Sequence, residues 1–250
     1  MRSKTLNTHN RIQARVQTAT YITATRAVWV QTRAMKSQNG FERQDESPDE
    51  RFYAQPRFVT HIDAGAIAAV TNLYREFIPD TAAVPNVAVL DLMASWISHF
   101  PTEARYARAI GLGMNRAELE RNPKLTGFVV QDLNQNSSLP FEASSFDAAC
   151  CCVSIDYLTD PVGVLREVSR VLKNDAPFVV SFSNRCFPSK AVRVWLETDD
   201  AGHLDLIESW MFEAGNWAGI EKLDRSPSFG DSSFGDPLWA VVGRAMKCVL

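Results

Sequence analysis

Apolar and polar positions along this chain follow two periods in turn. Ile67, Val70, Tyr74, Phe77 and Ile78 recur every three to four residues, the spacing of one helix face. Asp63 stands where an N-cap belongs and Pro79 where a helix must stop. Short runs with almost no polar interruption follow: 86–91, 108–113, 126–131, 146–153 and 177–183. Strands buried on both faces have this unbroken apolar character. Between the last two, Val164, Leu165, Val168, Val171 and Leu172 form another helical stripe, opened by Asp160 and Pro161. Strands alternating with helical segments predict right-handed crossovers and a parallel sheet. The C-terminal part changes style. A helix through Leu204, Ile207, Met211 and Phe212, ended by Gly215, leads to two apolar runs, 220–226 and 237–245, with only turn-rich sequence between them. Strands joined without a crossover pair antiparallel. The expectation is an α/β fold whose mostly parallel seven-stranded sheet ends in an antiparallel hairpin.

Charge divides the chain. Residues 1–41 carry seven basic side chains and nine Ser or Thr, and Glu42 is the first acid. A basic, hydroxylated, acid-free leader reads as a cleavable transit peptide, to the chloroplast or alternatively the mitochondrion. Residues 42–60 then read as a polar linker or N-terminal extension, and 61–250 as the folded domain. Without those seven cations the formal net charge of −3 becomes −10, so no general affinity for nucleic acid is expected. No apolar run is long enough to cross a bilayer, so no transmembrane segment is expected. Cys150, Cys151 and Cys152 are consecutive in an apolar run and no two cysteines have C-x-x-C spacing, so neither a metal site nor a disulfide framework is expected. Hydrolase and nucleotide-triphosphate signatures are absent: there is no G-x-S-x-G and no G-x-x-x-x-G-K-[ST].

Local sequences add a resemblance. "VAVLDL" at 87–92, "LPFEASSFDAACCCVSIDYLTDP" at 139–161 and "LREVSRVLKNDAPFVVSFSN" at 165–184 resemble the first strand, the approach to the fourth strand, and the helix, turn and fifth strand of class I (Rossmann-like) S-adenosylmethionine-dependent methyltransferases of the type 11 kind. Asn174-Asp175-Ala176 stands where that group has Pro-Gly-Gly. "DLMASWISHFP" and "SFSNRCFPSKAVRVW" are similar to a methyltransferase-like group of plants, algae and bacteria. The resemblance implies S-adenosylmethionine as cofactor and methyl transfer to a small-molecule acceptor. The alternative is a non-catalytic protein that keeps the fold for binding or assembly.

The first motif departs from the family. Where Asp-x-Gly-x-Gly-x-Gly is expected, the chain reads Asp91-Leu92-Met93-Ala94-Ser95-Trp96-Ile97, and the acid expected at the end of the second strand is Gly113. Residues with a β-carbon disfavour positive φ, Ile97 most of all, so the loop is expected to keep to ordinary backbone regions. A remodelled but open pocket is predicted, with Ser95 and Ser98 offering hydroxyls. The resemblance assigns cofactor contacts to Asp91, Ser95, Asn115, Asp132, Leu133 and Ser154, with Asp132 on the adenine and Asn115 standing in for the ribose acid. No catalytic residue is assigned. Trp96 is read as packing or stacking, His99 as structural or a general base, and Asp147 as a cap of the fourth strand.

Overall fold

The structure, a computed structural model, describes residues 40–227 and 235–247. Residues 1–39, nearly all of the expected transit peptide, lie outside the described residues. The compact unit begins at Phe41. A single turn, α1 (Asp49–Phe52), precedes the long helix α2 (Ala64–Phe77). Then come β1 (Ala88–Leu92), β2 (Arg108–Gly113), α3 (Arg116–Arg121), β3 (Gly127–Val130) and β4 (Ala148–Cys152). After a 3-10 turn (Ile155–Tyr157) follow α4 (Pro161–Val171), β5 (Pro177–Phe182), α5 (Arg193–Leu196), α6 (Asp200–Ala214), β6 (Trp217–Asp224) and β7 (Trp239–Ala245).

The seven strands form one sheet in the order β3-β2-β1-β4-β5-β7-β6. β1 to β5 pair in parallel, and β7 runs antiparallel to both β5 and β6. This is the mostly parallel sheet with a closing hairpin that the pattern predicts. Every residue of β1 and β5 is buried, as the apolar runs require. The helix signals act as read: the side chains of Asp63 and Asp160 accept from the amides of Ala66 and Gly163, and Gly215 ends α6 at φ 70°. One face of the sheet is covered by α2, whose Ala66, Val70, Leu73 and Tyr74 pack with Val89, Ala109, Cys150 and Val179. α4 and α6 pack together, and α6 lies against β6 and β7.

Three expectations need correction. The crossover from β1 to β2, residues 93–107, and that from β3 to β4, residues 131–147, contain no helix. Pinning hydrogen bonds replace helical ones: Asn122 Nδ2 donates to the Ser95 carbonyl at 2.9 Å and Lys124 Nζ to that of Pro101 at 3.3 Å. Residues 42–60 are not a linker but part of the domain. Arg43 donates twice to Asp49, at 2.7 and 2.8 Å, and the fully buried Lys190 reaches Asp49 at 3.1 Å and the Ser47 carbonyl at 2.7 Å. Finally, Met93 takes φ 57°, so the loop after β1 does enter the left-handed region; Ile97 does not. Ala94 N donates to Leu112 O at 2.8 Å, which draws the chain sharply over the end of β2 and holds Met93 in that turn.

Candidate functional site

In an open α/β sheet, ligands settle beyond the carboxyl ends of the strands where the strand order reverses. Here that place is between β1 and β4, and a cavity of about 300 Å³ opens there. Asp91, Ser95, Asn115, Asp132, Leu133 and Ser154 all line it. Trp96 does not. Its indole N–H donates to the Val59 carbonyl at 3.0 Å and its ring meets Phe58 edge-on, so it packs against the N-terminal segment.

Lining a cavity is not the same as having hydrogen-bonding capacity to spare. Asp91 is buried, and both its oxygens are engaged: Ser98 Oγ donates to Oδ2 at 2.5 Å and Cys150 Sγ to Oδ1 at 3.5 Å. Burial raises its pKa to about 6, even against those two donors. Ser98, expected to face the ligand, accepts from Asn122 Nδ2 at 2.9 Å instead. Ser95 gives its hydroxyl to Glu118 Oε2 at 2.6 Å, and Ser154 gives its own to the Cys152 carbonyl at 2.9 Å. Asn115 is spent at both ends. Its Oδ1 caps α3 by accepting from Glu118 N, while Nδ2 donates to the carbonyls of Tyr53 and Ala54.

Asp132 is different. Oδ1 accepts from Asn134 N at 2.8 Å, but Oδ2 is buried with no partner among the described residues. Burial raises this carboxyl's pKa. Glu118 also faces the cavity and was missed in the sequence. It accepts once on each oxygen, from Arg57 N and Ser95 Oγ, both at 2.6 Å, and a carboxylate has about four acceptor positions.

Gly113 explains the missing acid at the end of β2. A β-carbon there would sit 2.0 Å from the Ala94 carbonyl oxygen. The chain after β1 has moved into the space that a side chain at 113 would need.

The other wall of the cavity is the N-terminal segment and the loops after β4 and β5: Tyr53, Arg57, His61, Tyr157, Arg185, Cys186 and Phe187. The segment is held by Asn115, Glu118 and Trp96 as described, and by Asn134, which donates to Asp49 and to the Tyr157 carbonyl at 2.9 Å each. Hydrogen bonds from Asn134, Arg43 and Lys190 outweigh the effect of burial and keep Asp49 below the usual carboxylate range. His99 lines the cavity with Nδ1 buried and without a partner among the described residues. Burial, then the neighbouring His61, lowers its pKa to about 4, and burial lowers that of His61 as well. Both rings are therefore neutral near pH 7. Asp147 is structural as expected, accepting from Ala88 N at 2.9 Å and from Lys173 Nζ. Among the described residues no group of acids, cysteines or histidines could hold a metal ion.

Residues 97–180 match a family described as a methyltransferase domain. No curated protein sequence matches the chain. Among solved structures, the complex between the Haloferax volcanii Trm112 methyltransferase activator and a methyltransferase aligns with a TM-score of 0.51 at 16% identity, covering 72% of this chain and 90% of that one. An S-adenosylmethionine-dependent methyltransferase of Thermotoga maritima aligns with a TM-score of 0.50, also at 16% identity, covering 73% and 91%. At such identities the structural likeness speaks for the fold, and the sequence match over residues 97–180 speaks for the family. The chain thus has the Rossmann-like fold of class I methyltransferases, and residues 97–180 are similar to a methyltransferase domain, a family whose cofactor is S-adenosylmethionine.

Proposed function

We propose that the protein transfers a methyl group from S-adenosylmethionine to a small-molecule acceptor. The observation that carries this reading is the buried, unpartnered Asp132 Oδ2 in a cavity at the switch point of the sheet. An orphaned buried acceptor is costly, and a ligand's amino group would relieve it. The residues fit an adenosyl group on that side. Asp132 would take the exocyclic amine with Leu133 beside the ring, and Glu118 supplies a second carboxylate to the same cavity. When bound, the cofactor presents a methyl group on a sulfonium, which is transferred by in-line displacement.

The chain's own contribution is position and dryness. The N-terminal segment roofs the cavity, and Tyr53, Tyr157 and Phe187 line it with aromatic surface. His61, neutral near pH 7, can accept a proton from an acceptor that must lose one, whereas His99, with its pKa at about 4, is a weak base. One observation favours the non-catalytic alternative: the Ala94 carbonyl lies where the family's ribose acid would stand. Calorimetry of the full chain with S-adenosylmethionine and S-adenosylhomocysteine separates the two readings. The enzyme reading expects saturable binding, with about 2.7 kcal/mol of added stability at 100 times the dissociation constant. No binding of either would end it. Extracts supplied with labelled cofactor then identify the acceptor. For location, we propose a chloroplast on the strength of the acid-free residues 1–41; a fused reporter that stays cytosolic would refute that.

A further inference from the structure

Arg57 lines the cavity from the N-terminal segment, with its guanidinium carbon 4.5 Å from the Phe52 ring centre and 5.4 Å from that of Phe187. Cation–π contact of this kind helps to hold a guanidinium in place while its donors stay available to a partner. One donor is used: Nη2 bonds to the Phe52 carbonyl at 2.9 Å. Among the described residues, no carboxylate lies within 4 Å of the group.

Most of the neighbouring charges are engaged elsewhere. Arg43 and Lys190 pair with Asp49, and Arg185 pairs with Asp236 at 2.7 Å. Asp91 serves Ser98 and Cys150, and Glu118 takes the backbone amide of Arg57 rather than its side chain. A half-buried guanidinium on the cavity wall, with no carboxylate of the described residues within 4 Å, suits an anion from the ligand.

We infer that Arg57 is an anion anchor, binding a carboxylate within the cavity. This rests on the methyltransferase reading for its ligands, and two sources share the chemistry: the amino-acid end of the cofactor, and an acidic group on the acceptor. The first has a structural motive, since the helix and glycines that ordinarily cradle that end are absent after β1.

The test is calorimetry on the full chain and on Arg57→Gln, which keeps length and polarity but not charge. Three probes are used: S-adenosylhomocysteine, 5′-methylthioadenosine, which lacks the amino-acid end, and benzoate added after S-adenosylhomocysteine. If the cofactor's carboxylate is held, the variant binds S-adenosylhomocysteine at least 10-fold more weakly and methylthioadenosine unchanged. If the acceptor's is held, both nucleosides are unaffected and only benzoate weakens. Equal binding of all three by parent and variant overturns the anchor, as does an equal loss for methylthioadenosine, which would make Arg57 a prop for the segment. Should Arg57→Gln fold poorly, Arg57→Met keeps the apolar stem without the charge; unchanged affinity for both carboxylate probes in it would likewise overturn the anchor. A parent that binds benzoate alone, dependent on Arg57, keeps the anchor and refutes the methyltransferase reading. Strong nucleoside binding indifferent to Arg57 does the reverse.

Discussion

Replacing Ser98 by Ala tests how the loop after β1 is held. In the parent, Ser98 Oγ donates to the buried Asp91 at 2.5 Å and accepts from Asn122 at 2.9 Å. A hydrogen bond to a charged group contributes about 1.5–3 kcal/mol, and the variant would leave Asp91 Oδ2 with no donor. The effect must depend on pH, because the acceptor titrates. Asp91 has a folded pKa of about 6 against an ordinary value of 3.8, and burial is the cause. Its ionised form is therefore disfavoured in the folded state. Parent stability should fall as pH rises from about 4 to about 6, by about 3 kcal/mol from this group, and then level off. Ser98 opposes that shift, so Ser98→Ala raises the folded pKa further and extends the fall to higher pH. Urea denaturation at pH 5 and pH 8 measures both proteins. The expected destabilisation is about 2–3 kcal/mol at pH 8 and clearly less at pH 5. The same loss at both values, or none, would show that Asp91 is not an ion held by Ser98.

Other perturbations give independent checks. Gly113→Asp restores the family's ribose acid on paper, yet its β-carbon would meet Ala94 O at 2.0 Å; a severe drop in melting temperature is expected, and tighter S-adenosylhomocysteine binding by a stable variant would contradict this geometry. Asp132→Ala should weaken S-adenosylhomocysteine by about 1–3 kcal/mol in calorimetry while leaving the denaturation curve nearly unchanged. Lys190→Met removes one partner of the buried Asp49 and should cost about 3–5 kcal/mol, with residues 41–60 becoming sensitive to limited proteolysis.

Local signals survived the passage from sequence to structure, and distant ones did not. Asp63, Asp160 and Gly215 act on amides within a few residues, so their roles were readable from spacing alone. The mostly parallel sheet and its closing hairpin followed from the apolar runs and from the missing crossover before the last strand. The stretch at 45–50, Asp-Glu-Ser-Pro-Asp-Glu, looked like a solvated linker because its partners are remote. Lys190 lies more than 140 positions from Asp45 and Ser47, and Asn134 lies 85 from Asp49. Asp91, Ser95, Asn115, Asp132, Leu133 and Ser154 all line one cavity, but the partners that Ser98 and Asn115 take within the chain were not legible. Nor was Glu118, which sits in an ordinary-looking helical turn; the only cue was a carboxylate soon after a strand that should have ended in one.

The roof over the cavity has a consequence for the order in which the molecule is made. Residues 41–60 leave the ribosome early, but the ammonium that fixes them belongs to residue 190, after β5. Closing so long a loop is entropically slow, and synthesis itself sets a lower bound of several seconds between the two ends of the contact. Until then, Asp49 lacks its buried ammonium partner, and the segment is held only by its contacts with Asn115, Glu118, Trp96 and Asn134. The cavity wall is thus completed only once residue 190 is available, by a segment made much earlier. A pulse-labelled chain stalled before residue 190 should accordingly show a protected α2 and an exchange-labile segment at 41–60, and become protected there only on release.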